Sequence, residues 1–414
     1  MKIGLLTHSV NPRGGVVHTL ELAHALHEAG HDVTVMAPAL PGQSFFRPVA
    51  CKTSLVAVTH TPASTLDLVR DRVAAFTNHL MHAGADFDVL HAHDGMGGNA
   101  LADLQARGLI RGFVRTVHHL DPFEDPQLQH LQMRSVTHAA EVLCVSRLWQ
   151  NRLQHEHGIT AHEVCNGVDA QRFSPQPQTQ DRMWASKLGL DASRPVLLSV
   201  GGIESRKNTV RLLQAFALWR KHSGMERAVW VIAGGASLLN HSQTLQSFRH
   251  ELTSLGLKAA MAGDEHIAEA DVLITGALPD EALPSLYRLA DVVAIPSLRE
   301  GFGLVVLEAL CSGTPVVASR IAPFTEHLQD SDVAFADPLD VPDMARALAQ
   351  AYAQRGAPQI AMSAQRLAEQ FSWGRSAQQQ IAVYQRFIDE VARNQPAPLT
   401  STTSPSRQEI AICP

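Results

Sequence analysis

Two carboxylates eight positions apart, Glu300 and Glu308, are the residues of this chain best suited to chemistry. Glu300 precedes Gly301-Phe302-Gly303, and Glu308 sits inside Leu304 to Cys311, a helix-forming run that is otherwise apolar. A carboxylate buried in such a helix is costly unless donors meet it, and a hydroxyl-rich ligand supplies them. A glycine loop feeding a helix start also presents bare backbone N–H groups and the positive end of the helix dipole, which favours phosphate. The chemistry these residues suggest is the binding of a phosphorylated, hydroxyl-rich molecule.

The flanking segments give the acids a frame. Ala290-Asp291-Val292-Val293-Ala294-Ile295-Pro296-Ser297 reads as a buried strand ended by proline, and Gly313-Thr314-Pro315 turns the chain into a second short strand from Val316 to Ser319. In an open parallel sheet, ligands bind at loops on the carboxyl ends of strands. Glu-x7-Glu with Gly-Phe-Gly after the first acid, Ala-Asp-x4-Pro-Ser before it and Gly-Thr-Pro-Val-Val after it resembles the donor-site signature of the family 4 retaining glycosyltransferases. The resemblance implies an α/β chain of GT-B fold, two Rossmann-like doubly wound parallel-sheet domains facing a cleft. It also implies front-face transfer of a sugar, with retention, from a nucleoside-diphosphate sugar to an acceptor hydroxyl, needing no cofactor and no metal.

Within that resemblance Glu300 holds donor-sugar hydroxyls, Glu308 the ribose, and Gly301, Phe302, Gly303 and Leu304 border the diphosphate. The family pattern Val-Gly-Arg-x4-Lys-Gly falls on Val200 to Asn208, where Lys207 matches the lysine but Gly202 replaces the arginine. Arg206 is the candidate substitute, able to fork onto phosphate oxygens. Gly15 borders the cleft from the first glycine loop. Leu278, in Thr275-Gly276-Ala277-Leu278-Pro279, stands where family backbone groups read the base, and Ala233-Gly234-Gly235 where a glycine turn nears the nucleotide. His118 takes the donor-sugar position with His119 as competitor, and Asp94 and Asp121 at matching strand ends face donor or acceptor hydroxyls. Ser146 and Asn166-Gly167 match positions at the cleft mouth and the approach to the linker.

Gly14-Gly15 alone is not a dinucleotide fingerprint, since the full Gly-x-Gly-x-x-Gly is missing and Met36-Ala37-Pro38 ends the second strand where an acid is needed. His91-Ala92-His93 closes a strand and also suits the start of a metal site, so a metal-dependent hydrolase using His91, His93 and His118 is one rival reading. Histidine is abundant here, with 17 of the 22 before residue 180, so clusters arise by composition alone. A nucleotide-sugar epimerase on the same fold and a non-catalytic nucleotide-sugar sensor are the others.

The chain of 414 residues is long enough for two α/β cores. A formal net charge of −6 argues against a nucleic-acid partner, which needs a concentrated basic face. Residues 1–180 carry 13 Lys+Arg against 16 Asp+Glu, which gives no basic membrane-docking signal. The five cysteines have no Cys-x-x-Cys spacing, and no apolar run spans a bilayer, so a cytoplasmic protein is expected. Alternating strands and helices fill 1–180, the expected acceptor-side domain. Strands are expected at Lys2–Thr7, His31–Ala37, Ser54–Val58, Val89–Ala92, Gly112–Val117, Glu141–Val145 and Glu163–Cys165. Ser174-Pro175-Gln176-Pro177-Gln178 has linker composition, and a second alternation over 190–370 forms the donor domain. A helix over 376–391 is expected to return to the first domain, and 394–414, rich in Pro, Ser and Thr, to be a disordered tail.

Overall fold

The computed structural model describes residues 1–84, 86–235 and 241–393, so the expected tail 394–414, with Cys413, lies outside the described residues. The first seven strands are β1 (Lys2–Leu6), β2 (Asp32–Ala39), β3 (Lys52–Ala57), β4 (Val89–Ala92), β5 (Val114–Val117), β6 (Glu141–Cys144) and β7 (His162–Glu163). They form one parallel sheet in the order β3-β2-β1-β4-β5-β6-β7. The second sheet holds β8 (Val196–Val200), β9 (Val229–Ala233), β10 (Ala259–Met261), β11 (Val272–Gly276), β12 (Val292–Ile295), β13 (Val316–Ser319) and β14 (Ala334–Ala336). It is also parallel, in the order β10-β11-β9-β8-β12-β13-β14. The two doubly wound sheets match the expected architecture.

The central strands β1, β4, β8 and β12 are buried almost throughout, as apolar runs covered by helices on both faces must be. The expected first-sheet strands lie within two residues of those observed. The short edge strands β10 and β14 carry too few residues to show an apolar period, and the sequence does not announce them.

Strand order fixes where a site can form. In the first sheet the order reverses between β1 and β4, and in the second between β8 and β12. The loops leaving those strands splay apart there and leave a crevice. The crevice of the first sheet is lined by the segments after Leu6 and Ala92, that of the second by those after Val200 and Ile295.

The final described helix, Trp373–Arg393, begins three residues ahead of the expected Ser376 and packs Ala377, Val383, Tyr384 and Phe387 into the core of the first sheet. Its start is pressed against the chain leaving that sheet. Val168 N–H donates to Phe371 O at 2.8 Å, and a Cβ on Gly167 would lie 2.2 Å from Trp373 N. Gly167 thus permits the close crossing of two segments of the chain. The four described cysteines, Cys51, Cys144, Cys165 and Cys311, are free thiols. Among the described residues no helix is long and apolar enough to cross a membrane.

Candidate active site in the cleft

The second sheet's crevice gathers the charged residues that the sequence spaces far apart. Lys207, from the loop after β8, donates through Nζ to Glu300 Oε1 at 2.6 Å, and Ser297 Oγ–H donates to the same oxygen at 2.8 Å. The Arg206 guanidinium stands 3.3 Å from Glu300 Oε2 and 3.5 Å from Glu204 Oε2. Arg206 therefore points into the cluster and not to open solvent. Burial alone would push the Glu300 carboxyl up, but Lys207, Arg206 and Ser297 outweigh it and hold the group down at about 2. Glu300 is a carboxylate at any ordinary pH, and it already takes one of the three hydrogens Lys207 can offer.

Gly202 stands where the family has arginine, and its surroundings leave no room for one. A Cβ there would lie 2.7 Å from Gly235 O, and a Cβ on Gly234 would lie 2.5 Å from Gly201 C. The loops after β8 and β9 are in backbone contact. Asn208, in the place of the family glycine, adopts φ +59° and anchors this loop by donating through Nδ2 to Pro296 O and Pro338 O.

The Gly-Phe-Gly loop divides its work residue by residue. A Cβ on Gly301 would sit 2.4 Å from His118 O, so only glycine permits this approach between the two domains. Trp149 Nε1–H also donates across the cleft, to Glu300 O at 3.3 Å. Phe302 turns its ring into the core, stacked on His327 at 4.7 Å and edge-on to Phe371, so only its main chain faces the loop. Gly303 adopts φ +98° and starts the helix Leu304–Cys311, whose first turn leaves N–H groups without α-helical partners. Leu304 is half-buried at that start, and Leu278 packs on the same core from the loop after β11.

Glu308 is 7 % exposed and meets one neutral donor, Tyr287 O–H, at 2.7 Å. Burial raises its pKa to about 7, with Glu21 and Asp280 adding to the rise and Tyr287 and Arg172 opposing it. Unlike Glu300 it has no direct cationic partner among the described residues, and hydroxyl donors from a ligand would complete its shell.

The first sheet's crevice is built of histidine. His118 is half-buried beside the start of the helix Gly14–Glu28, where a Cβ on Gly15 would lie 3.8 Å from its Cδ2, whereas His119 is exposed and 3.5 Å from Asp121. His118 packs edge-on to His18 at 4.6 Å, and His93 stands 5.1 Å from His18 and 5.7 Å from His118 between ring centroids. Burial holds all three rings far toward the neutral form, His18 down to about 4. His91 lies outside this group: its Nδ1 meets Tyr384 Oη at 2.7 Å and its Nε2 meets Thr116 Oγ1 at 2.8 Å. The grouping His91, His93, His118 raised by sequence is thus replaced by His18, His93, His118.

Asp94 caps the helix Gly95–Ala106, its Oδ1 accepting from Met96 N–H and Gly97 N–H, while its Oδ2 is buried with no hydrogen-bond partner among the described residues. Burial raises Asp121, but His119, Arg206 and Arg299 prevail and lower it, so Asp121 faces the cationic cluster across the cleft. Asn166 Oδ1 lies 2.9 Å from His18 Nδ1, and Ser146 Oγ is buried without a partner among the described residues at the start of the helix Arg147–His157.

Several participants were not singled out by sequence reasoning. Arg47 pairs with Glu21 at 2.8 Å, Arg172 with Asp280 at 2.7 Å, and Arg47 reaches Asp280 at 3.5 Å, a four-charge clasp between the domains. Tyr287 and His18 are the others. No local motif marks any of them, although an unpaired acid predicted in a buried helix was a signal to look for a donor such as Tyr287.

Comparison with known proteins accords with this geometry. Residues 12–172 match the family described as Glycosyltransferase Family 4, and residues 180–366 match Glycosyl transferases group 1. The chain is 30% identical over 410 residues to a D-inositol 3-phosphate glycosyltransferase of Catenulispora acidiphila, covering 91% of each chain. It is 29% identical over 340 residues to a GDP-mannose-dependent phosphatidylinositol monomannoside mannosyltransferase of Mycolicibacterium smegmatis, covering 79% of this chain and 82% of that one. In fold it is similar to a sucrose-phosphate synthase of Thermosynechococcus elongatus, with a TM-score of 0.73 at 20% identity over 94% of this chain and 100% of that one. Anabaena HepE, solved with UDP and glucose, gives a TM-score of 0.71 at 18% identity over 93% and 99%. With its two facing sheets of GT-B type and a matching relative along nearly its whole length, this chain belongs to the family 4 glycosyltransferases, enzymes of the hexosyltransferase class.

Proposed function

We propose that this enzyme moves a sugar from a nucleoside-diphosphate sugar to an acceptor hydroxyl with retention of anomeric configuration. The observation that carries the reading is the meeting of Lys207, Arg206 and Glu300 at the second sheet's switch point, beside the start of the helix Leu304–Cys311. A diphosphate there would take the free hydrogens of Lys207, the Arg206 fork and the helix N–H groups. Glu300 accepts from donor-sugar hydroxyls, Glu308 and Tyr287 hold the ribose, and His118 borders the sugar from the opposite domain.

The residues bind and orient, and the leaving group does the proton transfer. The bond from the anomeric carbon to the phosphate oxygen breaks with its electron pair on the diphosphate, the acceptor oxygen bonds the same face, and its proton passes to that phosphate oxygen. Stabilising the departing charge by fixed cations and dipoles is the main catalytic contribution, and no metal takes part in it. Residues 1–180 form the acceptor side and 190–370 the donor side, and closure between them completes the site.

A thermal-shift screen against UDP-, GDP- and ADP-sugars identifies the donor, since binding to the folded state raises the midpoint. The names of the relatives make inositol phosphates the first acceptors to try. Proton NMR of the product should show the donor's anomeric configuration. An inverted product overturns the retaining mechanism, and donor binding without transfer or hydrolysis overturns the enzymatic role.

A further inference from the structure

We propose that His18, His93 and His118 form a site for one divalent transition-metal ion of the zinc type, set in the first domain beneath the cleft. One ligand atom from each ring can be chosen so that all three lie within 4.8 Å of one another. Three nitrogens at that spacing surround a point about 2.8 Å away, against metal–nitrogen bonds of about 2.0–2.1 Å, so each ring need move inward by about 0.7 Å. Each ring has a nitrogen with no other hydrogen-bond partner among the described residues to offer such a bond. His18 Nε2, His118 Nε2 and both nitrogens of His93 are buried with no hydrogen-bond partner among the described residues. Buried imidazole nitrogens left unpaired are costly, and a ligand shared between the three rings would satisfy them.

The supporting shell fits as well. His18 Nδ1 and Asn166 Oδ1 lie 2.9 Å apart, so the ring donates its Nδ1 hydrogen to the amide oxygen and keeps the Nε2 lone pair for a metal. Three neutral imidazoles leave a fourth position open, and this donor set suits zinc, copper or nickel over magnesium or calcium. The buried Arg115 charge opposes a cation here, and the nearby Asp94 carboxylate offsets it. The ion enters when the domains part, because Gly301 lies directly against His118. The site shares His118 with the donor-sugar edge of the cleft but uses neither Lys207 nor Glu300, and its test reads metal binding itself, so its failure is distinct from failure of the donor assignment.

The test is titration of the full, chelator-treated chain with zinc chloride against a chromophoric chelator, paired with cobalt(II) substitution. The expected result is one tight equivalent and a cobalt visible spectrum of tetrahedral intensity. His18→Gln and His93→Gln should each remove that equivalent, and Asn166→Ala should weaken it 10- to 100-fold with its fold checked by circular dichroism. No tight equivalent in the wild type, or one unchanged in His18→Gln, His93→Gln and Asn166→Ala, overturns the proposal, the latter by assigning the ion to other histidines.

Discussion

Lys207 and Glu300 face each other at 2.6 Å from the two loops that diverge at the second sheet's switch point. The pair is a store of charge that a diphosphate can rearrange. With Glu300 held at about 2, the contribution to stability is full above the ordinary glutamate range and is lost as pH falls from about 4.5 toward 2.

Lys207→Ala should therefore act twice. It leaves a buried carboxylate with less compensation, so the midpoint of acid unfolding should move to higher pH. It also removes a charged donor from the diphosphate, weakening donor binding by about 1–3 kcal/mol, roughly 5- to 150-fold. Calorimetric titration with the native donor checks the second effect, and an unchanged Kd removes Lys207 from the site.

Glu308 should make donor affinity depend on pH. Its folded pKa of about 7 lies above that of an unfolded glutamate, so the folded state gains stability as pH falls from 7 toward 4.5 and loses it as pH rises. Ribose hydroxyls donate to the ionised form, so donor affinity should rise through about pH 7. Glu308→Gln should flatten both profiles and weaken binding by about 1–3 kcal/mol. A donor affinity that stays level between pH 6 and 8 in the wild type refutes the ribose assignment.

Gly301→Ala should separate closure from folding. Its Cβ would meet His118 O at 2.4 Å, a backbone group that cannot swing aside. The expected outcome is a 10- to 100-fold lower kcat, the scale of a misplacement of about 1 Å. Small-angle scattering of the donor-bound variant should show a more open particle. Wild-type kcat would mean that this contact is absent from the reacting state.

Gly202→Arg restores the residue typical of the family and should nevertheless harm the protein. Its Cβ would stand 2.7 Å from Gly235 O, and overpacking of this kind costs about 1–3 kcal/mol. Urea unfolding should show the loss, with no gain in donor affinity. Tighter donor binding would show that the two loops can separate to admit the arginine.

Much of the fold is legible locally. The apolar runs Lys2–Thr7, Val89–Ala92 and Val292–Ile295 each become a central strand, because a strand buried on both faces has no polar side to break the pattern. The returning helix is legible too, since Tyr384 and Phe387 fall on one apolar face. Edge strands such as Ala334–Ala336 are not, being too short to carry a period.

The site divides in the same way. Sequence by itself determined the acid pair Glu300 and Glu308, the lysine at Lys207 and the gap at Gly202, all of which sit within single strand-loop-helix units where spacing is local. Only the tertiary structure decided their partners. Tyr287 reaches Glu308 from another helix, the backbone turn at Gly235 closes the space over Gly202, and His18, His93 and His118 meet from three separate segments. The physical reason is range: backbone periodicity acts over a few residues, whereas the order of strands in a sheet brings together loops that the chain keeps far apart.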